Sequence, residues 1–277
     1  MTRYYQRYSR GVVLGYSRLV YSSLLLYMLA LVLVYYCQDG INRPLSPMDE
    51  QAIYYIRKHW IEPPTLPPAR PPSSSSLPPN RPPLKYPSWA ESEGWGRAFQ
   101  LLKDFFSQYK KPGTYVEVGA GDGEFRSLTL YLEKALGFRG LLVEPHPRLY
   151  AEMREKRKGA NTIHACATPD YGHRLDRDLG RTVGVQCFNV GTMAIAALAR
   201  SIVDLVVIST GGGEAEIFAS FPSHFEAKVV VLVMTVMVNE EWDWIVEGAA
   251  NKGLKLVRSF DTHHIFINNK RVSLTII

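Results

Sequence analysis

Between Trp95 and Tyr109 the apolar residues Trp95, Phe99, Leu102, Phe106 and Tyr109 recur at alternating spacings of four and three, the pattern of one face of a helix. Lys111-Pro112-Gly113 ends that helix. Tyr115 to Val118 then reads as a short strand running into Gly119-Ala120-Gly121-Asp122-Gly123. An apolar-periodic stretch follows at Leu128 to Leu136, then a strand at Gly140 to Val143, a charged helix at Arg148 to Lys158 and a strand at Thr162 to Ala165. Two later runs, Val203 to Ile208 and Lys228 to Val238, are nearly all apolar and rich in β-branched residues, as expected of strands covered on both faces. Helices at Glu214 to Ser220 and Glu240 to Lys252 and closing strands at Leu254 to Ser259 and His264 to Asn268 complete the pattern, while polar Asp170 to Val185 reads as an irregular excursion. The alternation predicts an α/β domain with a doubly wound, mostly parallel sheet.

The amino-terminal region has a different texture. Leu19 to Gln38 carries no charge, and at 1.5 Å per residue such a run spans the roughly 30 Å hydrocarbon core of a bilayer. It is longer than a signal-peptide core and ends in bulky Val34-Tyr35-Tyr36-Cys37, a poor cleavage site, so an uncleaved signal-anchor is the preferred reading. Arg3, Arg7, Arg10 and Arg18 precede the span, whereas the fifteen positions after it hold only Arg43; positive flanks stay cytosolic, so everything beyond Gln38 is expected in the lumen or outside the cell. Of 18 prolines, 11 lie between Pro63 and Pro87, beside Ser73 to Ser76, a composition that favours extended polyproline and cannot bury a core. At about 3.1 Å per residue this stalk reaches about 80 Å. The expected order is tail 1–18, transmembrane signal-anchor 19–38, juxtamembrane segment 39–62, Pro/Ser-rich stalk 63–88 and domain 95–277.

Composition narrows the partners. The net charge is +6, but 32 basic residues are interspersed with 26 acidic ones and form no basic cluster, so nucleic acid is not an expected partner and the bilayer is. The 3 cysteines lack zinc-site spacing, and no metal is expected. A lumenal domain permits a disulfide, for which Cys166 and Cys187 are the candidates beyond the anchor.

Val116 to Glu124, V-E-V-G-A-G-D-G-E, places a glycine-rich turn after a first strand, where residues without a Cβ let the backbone approach a nucleotide-like ligand. Glu144, ending the second strand, can accept hydrogen bonds from ribose hydroxyls. Y-V-E-V-G-A-G-D-G-E (115–124), L-Y-L-E-K (130–134), G-F-R-G-L-L-V-E-P-H-P (137–147), A-C-A-T-P (165–169) and V-Q-C-F (185–188) together resemble the FkbM-type methyltransferase domain; with the anchor and stalk, the chain is most similar to its arthropod Star-like branch. The resemblance implies a Rossmann-like methyltransferase fold, S-adenosylmethionine as cofactor, and Glu117, Gly119, Gly121, Asp122 and Glu144 as cofactor-binding positions.

Departures from the family pattern accompany it. Ser209 and Gly211 stand where the family carries Asp and Glu after the fourth strand, and Met237 replaces a third acid in the fifth. His263 and His264 are the candidate substitutes, though neighbours on a strand point to opposite faces. The expectation is therefore a degenerate methyltransferase fold without catalytic residues, in a single-pass type II membrane protein; the Star-like resemblance implies that it handles membrane-protein cargo in vesicle traffic, in the endoplasmic reticulum, Golgi, endosome or plasma membrane. The alternative is an S-adenosylmethionine-dependent methyltransferase acting on a small hydroxyl or carboxyl acceptor.

Overall fold

The computed structural model describes residues 27–29, 50–67, 93–169, 172–178, 181–234 and 239–272. The chain divides into two compact units, Met1–Pro44 and Leu45–Ile277. In the first, Tyr27, Met28 and Leu29 are helical and exposed; the rest of the expected tail and span, the stalk beyond Pro67, and Met237 lie outside the described residues. Among the described residues no helix is long and apolar enough to cross a membrane.

The second unit contains strands β1 (Thr114–Val118), β2 (Arg139–Val143), β3 (Asn161–Ile163), β4 (Cys166–Ala167), β5 (Gly172–Asp178), β6 (Arg181–Phe188), β7 (Ile202–Ile208), β8 (Glu226–Val233), β9 (Leu254–Phe260) and β10 (His263–Asn268). Its helices are α1 (Glu50–His59), α2 (Glu93–Ser107), α3 (Leu130–Leu136), α4 (Pro147–Lys156), α5 (Val190–Leu198), α6 (Glu214–Ala219) and α7 (Asn239–Asn251). Seven strands form one sheet in the order β3-β2-β1-β7-β8-β10-β9, parallel except for β10, which runs antiparallel to both neighbours. This is the doubly wound, mostly parallel, Rossmann-like sheet that the alternation of strands and helices predicts. Alternate residues of the central strands feed two cores: Val116, Val118, Val206 and Val230 pack with α5, α6 and α7, whereas Tyr115, Leu205, Val207 and Val231 pack with α2, α3 and α4.

Three sequence expectations change. The excursion at 170–185 is a hairpin: β5 and β6 pair from Gly172↔Cys187 to Asp178↔Arg181, and β4 adds to β6 to make a separate three-stranded sheet. Its polar composition hides it, because a backbone ladder needs no apolar side chains to form. Helix α5, entered through Asn189, whose side chain accepts from the Gly191 amide at 2.9 Å, follows directly and was not anticipated. Residues 50–67, expected as juxtamembrane segment and stalk, pack on the domain instead. Ala52 and Ile56 are fully buried, Arg57 donates to the Ala196 carbonyl at 2.8 Å, Glu62 pairs with Thr162 across an antiparallel bridge, and the amides of Thr65 and Leu66 donate to the Lys158 carbonyl.

Behind the glycine loop lies a buried cluster of charge. Arg157, just past α4, has no exposed side-chain surface; it donates to Glu133 Oε2 at 2.8 Å, the Gly123 carbonyl at 2.7 Å, and Ser127 Oγ, Tyr115 Oη and Thr129 Oγ1, each at 3.0 Å. Ser127 Oγ and Thr129 Oγ1 in turn donate to Glu117 Oε2, so the guanidinium charge reaches Glu117 through two hydroxyls as well as directly at 3.8 Å. Burial raises the Glu117 carboxyl against the opposing pull of Arg157. At Glu133 burial also acts upward, but Arg157 and the Tyr115 hydroxyl outweigh it and hold the carboxyl below its usual range.

Two outcomes follow. Ile56→Ala should cost about 2–5 kcal/mol as a core truncation, read as a fall in the denaturant midpoint, whereas a detached juxtamembrane segment would leave the midpoint unchanged. Arg157→Met should cost about 3–5 kcal/mol at pH 7 by removing the guanidinium that two buried carboxylates share, leaving Glu133 with Lys134 at 3.6 Å and Glu117 with the Ser127 and Thr129 hydroxyls. Glu117, already raised in the native chain, then rises further and Glu133 loses the pull that held it down, so the variant loses stability as pH climbs above the unfolded value near 4.3. In the native chain the depressed Glu133 adds stability that persists above the unfolded value and fades only as pH falls through the lowered one. The gap between variant and native chain in urea unfolding should therefore be smaller at pH 5 than at pH 7; an equal gap would contradict the electrostatic origin.

Candidate functional site

Parallel strands deliver their loops to the carboxyl edge of the sheet, and a doubly wound sheet opens a crevice there. In this chain β1, β2 and β7 end around a cleft of about 530 Å³ lined by Gly119, Gly121, Glu144, Cys166, Ser209, Gly211 and neighbours. A larger cavity of about 920 Å³ lies at the opposite, amino edge, beside Lys111, Arg139 and Arg200. None of its lining residues belongs to the glycine motif. The carboxyl-edge cleft is therefore the candidate site.

The first two glycines of the motif do different work. Gly119 has φ of 74°, and a Cβ there would sit 2.1 Å from the Ser209 carbonyl oxygen, so this glycine lets the loops after β1 and β7 touch backbone to backbone. Gly121 has φ of 56° and nothing within 4 Å of a would-be Cβ: its open side is the cleft. Its amide donates to Glu144 Oε2 at 2.7 Å, while Glu144 Oε1 accepts from the His146 amide at 2.9 Å. Glu144 is thus fixed by two backbone donors at the cleft wall and is 5% exposed. An open backbone cradle opposite a fixed carboxylate suits a nucleoside-bearing cofactor.

Two of the five sequence-selected positions do not line the cleft. Glu117 points into the Arg157 cluster, because alternate residues of β1 face opposite sides and it shares the side of Tyr115. Asp122 shapes the loop: Oδ1 accepts from the amides of Glu124 and Phe125, and Oδ2 pairs with Lys156 Nζ at 2.6 Å. Partial burial would raise the Asp122 carboxyl, but Lys156 and the two amides hold it below its usual range. Gly119, Gly121 and Glu144 are brought together; Glu117 and Asp122 support them from behind and from the side.

After β7, Ser209 and Gly211 line the cleft where the family pattern has acids. The surviving Glu214 is buried and turned away from it: Oε1 accepts from the amides of Thr210 and Gly212 and from Thr210 Oγ1. Glu216 is exposed on α6. His263 and His264 open β10 beside Val233 and Leu232 and are absent from the cleft lining. Burial pushes the His263 imidazole down to about 4 and lowers that of His264, so both are neutral at pH 7. His264 Nδ1 lies 3.0 Å from Ser259 Oγ and its ring 4.7 Å from that of Trp242, a packed position. Among the described residues, Glu144 is the sole carboxylate lining the cleft, and no group of side chains there or elsewhere could hold a metal ion.

Cys166 is a wall residue that the sequence did not mark as part of the site. It forms a disulfide with Cys187, the residue it opposes across the β4–β6 ladder, with Cα atoms 4.4 Å apart. The available signal was its place just past β3, at the carboxyl edge of the sheet.

No protein-family model matches the chain, and no curated protein matches it. Similar solved structures include an FkbM methyltransferase from Methylobacillus flagellatus KT at 9% identity, covering 56% of this chain and 43% of that one with a TM-score of 0.40. Fibrillarin from Aeropyrum pernix, in complex with natively bound S-adenosyl-L-methionine, is similar at 14% identity over 62% of this chain and 75% of its own, with a TM-score of 0.40. Precorrin-6y C5,15-methyltransferase from Geobacter metallireducens GS-15 has 14% identity over 62% and 85%, with a TM-score of 0.38. The fold assignment rests on strand order and pairing, not on these values.

Proposed function

We propose that the chain binds S-adenosylmethionine in the carboxyl-edge cleft and is an S-adenosylmethionine-dependent methyltransferase for a small acceptor bearing a carboxylate. The observation that carries the reading is the Gly121 cradle, open on its cleft side and hydrogen-bonded to the fixed Glu144. Gly121 leaves room for the cofactor and Glu144 accepts from its ribose. The cofactor supplies an electrophilic methyl group. Ser209, Thr210 and Gly211 at the cleft floor offer no base among the described residues, which disfavours an acceptor that must first lose a proton. A carboxylate is already an anion at neutral pH and needs positioning alone.

The same floor favours a second reading, in which the domain binds without catalysing and the chain is a Star-like type II membrane protein handling membrane cargo in secretory and endosomal traffic. The uncharged run 19–38 supports an anchor in either case. The Cys166–Cys187 disulfide supports a domain in an oxidising compartment, the lumenal side that the arginine asymmetry implies.

Calorimetric titration of the full-length oxidised chain with S-adenosylmethionine tests the first reading. Saturable binding is expected, weakened about 10- to 100-fold by Glu144→Gln, the loss of charge-assisted hydrogen bonds worth about 1.5–3 kcal/mol. Gly121→Arg should abolish it by filling the open cradle. A silent titration would sink the cofactor reading, and binding without methyl transfer to any of a panel of carboxylates would shift the conclusion to the second reading.

A further inference from the structure

We infer that the Cys166–Cys187 disulfide latches one wall of the cofactor cleft, so that cofactor affinity depends on the thiol–disulfide state of the chain; this rests on reading the cleft as the S-adenosylmethionine site. The wall consists of Ala165, Cys166 and Ala167 from β4 and its approach, with Val185 from β6. The disulfide is its one covalent tie to β6. Strand β4 is two residues long and joins β6 through the pairs Cys166↔Cys187 and Ala167↔Phe188, supplemented by the Thr168 amide donating to the Phe188 carbonyl at 3.1 Å. It belongs to the small sheet, not to the seven-stranded one. Ala165 and Ala167 pack into the main core with Phe188, whereas Cys166, Val185 and Cys187 form a small cluster of their own around the disulfide. Val185 and Cys187, two apart on β6, share a face, so the bond that fixes Cys187 also fixes the wall residue beside it.

Reduction removes the covalent member of this set. A small dithiol would attack one sulfur to give a mixed disulfide, then close on itself: the chain takes up two electrons and two protons as two thiols, and the reductant leaves as its cyclic disulfide. The freed sulfurs must then move apart to van der Waals separation across a ladder of two residue pairs, which displaces the wall. Because Cys187 is fully buried and Cys166 lines the cleft, the cleft is also the approach to the bond, and an occupied cleft shields it. A ligand that prefers the oxidised chain makes the disulfide harder to reduce by the same factor.

The test uses the full-length chain in detergent, oxidised, reduced by a small dithiol, and as Cys187→Ser, which breaks the bond without altering a cleft-lining residue. Circular dichroism first confirms that all three are folded. Calorimetry with S-adenosylmethionine should give at least tenfold weaker binding for the reduced chain and for Cys187→Ser. Saturating cofactor should lower the midpoint potential of the disulfide by about 30 mV for each tenfold. Without ligand, amide exchange at 165–168 should quicken on reduction. Equal affinity in the two redox states overturns the inference. A silent oxidised chain whose exchange at 165–168 still quickens counts against the cofactor reading and supports the hold of the disulfide on the wall; unchanged exchange removes that hold.

Discussion

One guanidinium holds two carboxylates inside this protein, and the geometry of the cleft descends from it. Arg157 is fully buried between Glu133 and the hydroxyl-bridged Glu117, with Tyr115 closing the ring. Such a cluster forms only when every charge finds partners, since an unpaired one would cost several kcal/mol. The chain meets that condition with residues from β1, the loop after it, α3 and the turn after α4. The constraint is thus shared by exactly those segments that frame the glycine loop. Through the Gly123 carbonyl, Arg157 fixes the far end of the loop, and the near end is fixed by Gly119 against Ser209. Between these two anchors Gly121 presents its amide to Glu144 and its open side to the cleft.

Much of this was legible in the sequence. Runs of β-branched residues gave the central strands, and the glycine turn after Val118 together with Glu144 identified the carboxyl edge where the cleft lies. The sequence was silent on long-range partners. Glu117 reads as a ligand because it precedes the glycines, yet its neighbours are Ser127, Thr129 and an arginine forty positions on, embedded in the basic run of Lys156 to Lys158 that looks like surface. Residues 50–67 look like a connector because their buried positions, Ala52 and Ile56, are few and their partners in α5 are more than 130 residues away. The β5–β6 hairpin escaped because its ladder is carried by backbone groups under polar side chains.

The cleft floor sets the chemistry apart from the fold. A Rossmann-like sheet with a glycine turn hosts many reactions, and what distinguishes this one is a floor of Ser209, Thr210 and Gly211, with Glu214 spent on bracing its own loop. The floor carries no carboxylate or imidazole among the described residues, and Glu144 in the wall is the one carboxylate of the lining. On the function proposed above, that floor favours an acceptor that is already anionic. The Cys166–Cys187 disulfide stands in another wall of the same cleft.

A crystal structure of the chain grown with S-adenosylmethionine would test the central claim most directly. The account predicts ligand density between Gly121 and Glu144, with the hydrogen bonds from Arg157 to Glu133 and to the Gly123 carbonyl unchanged, because the buried cluster builds the loop before the ligand arrives. Density in the amino-edge cavity beside Lys111, Arg139 and Arg200, or a loop that refolds away from Arg157 on binding, would contradict it.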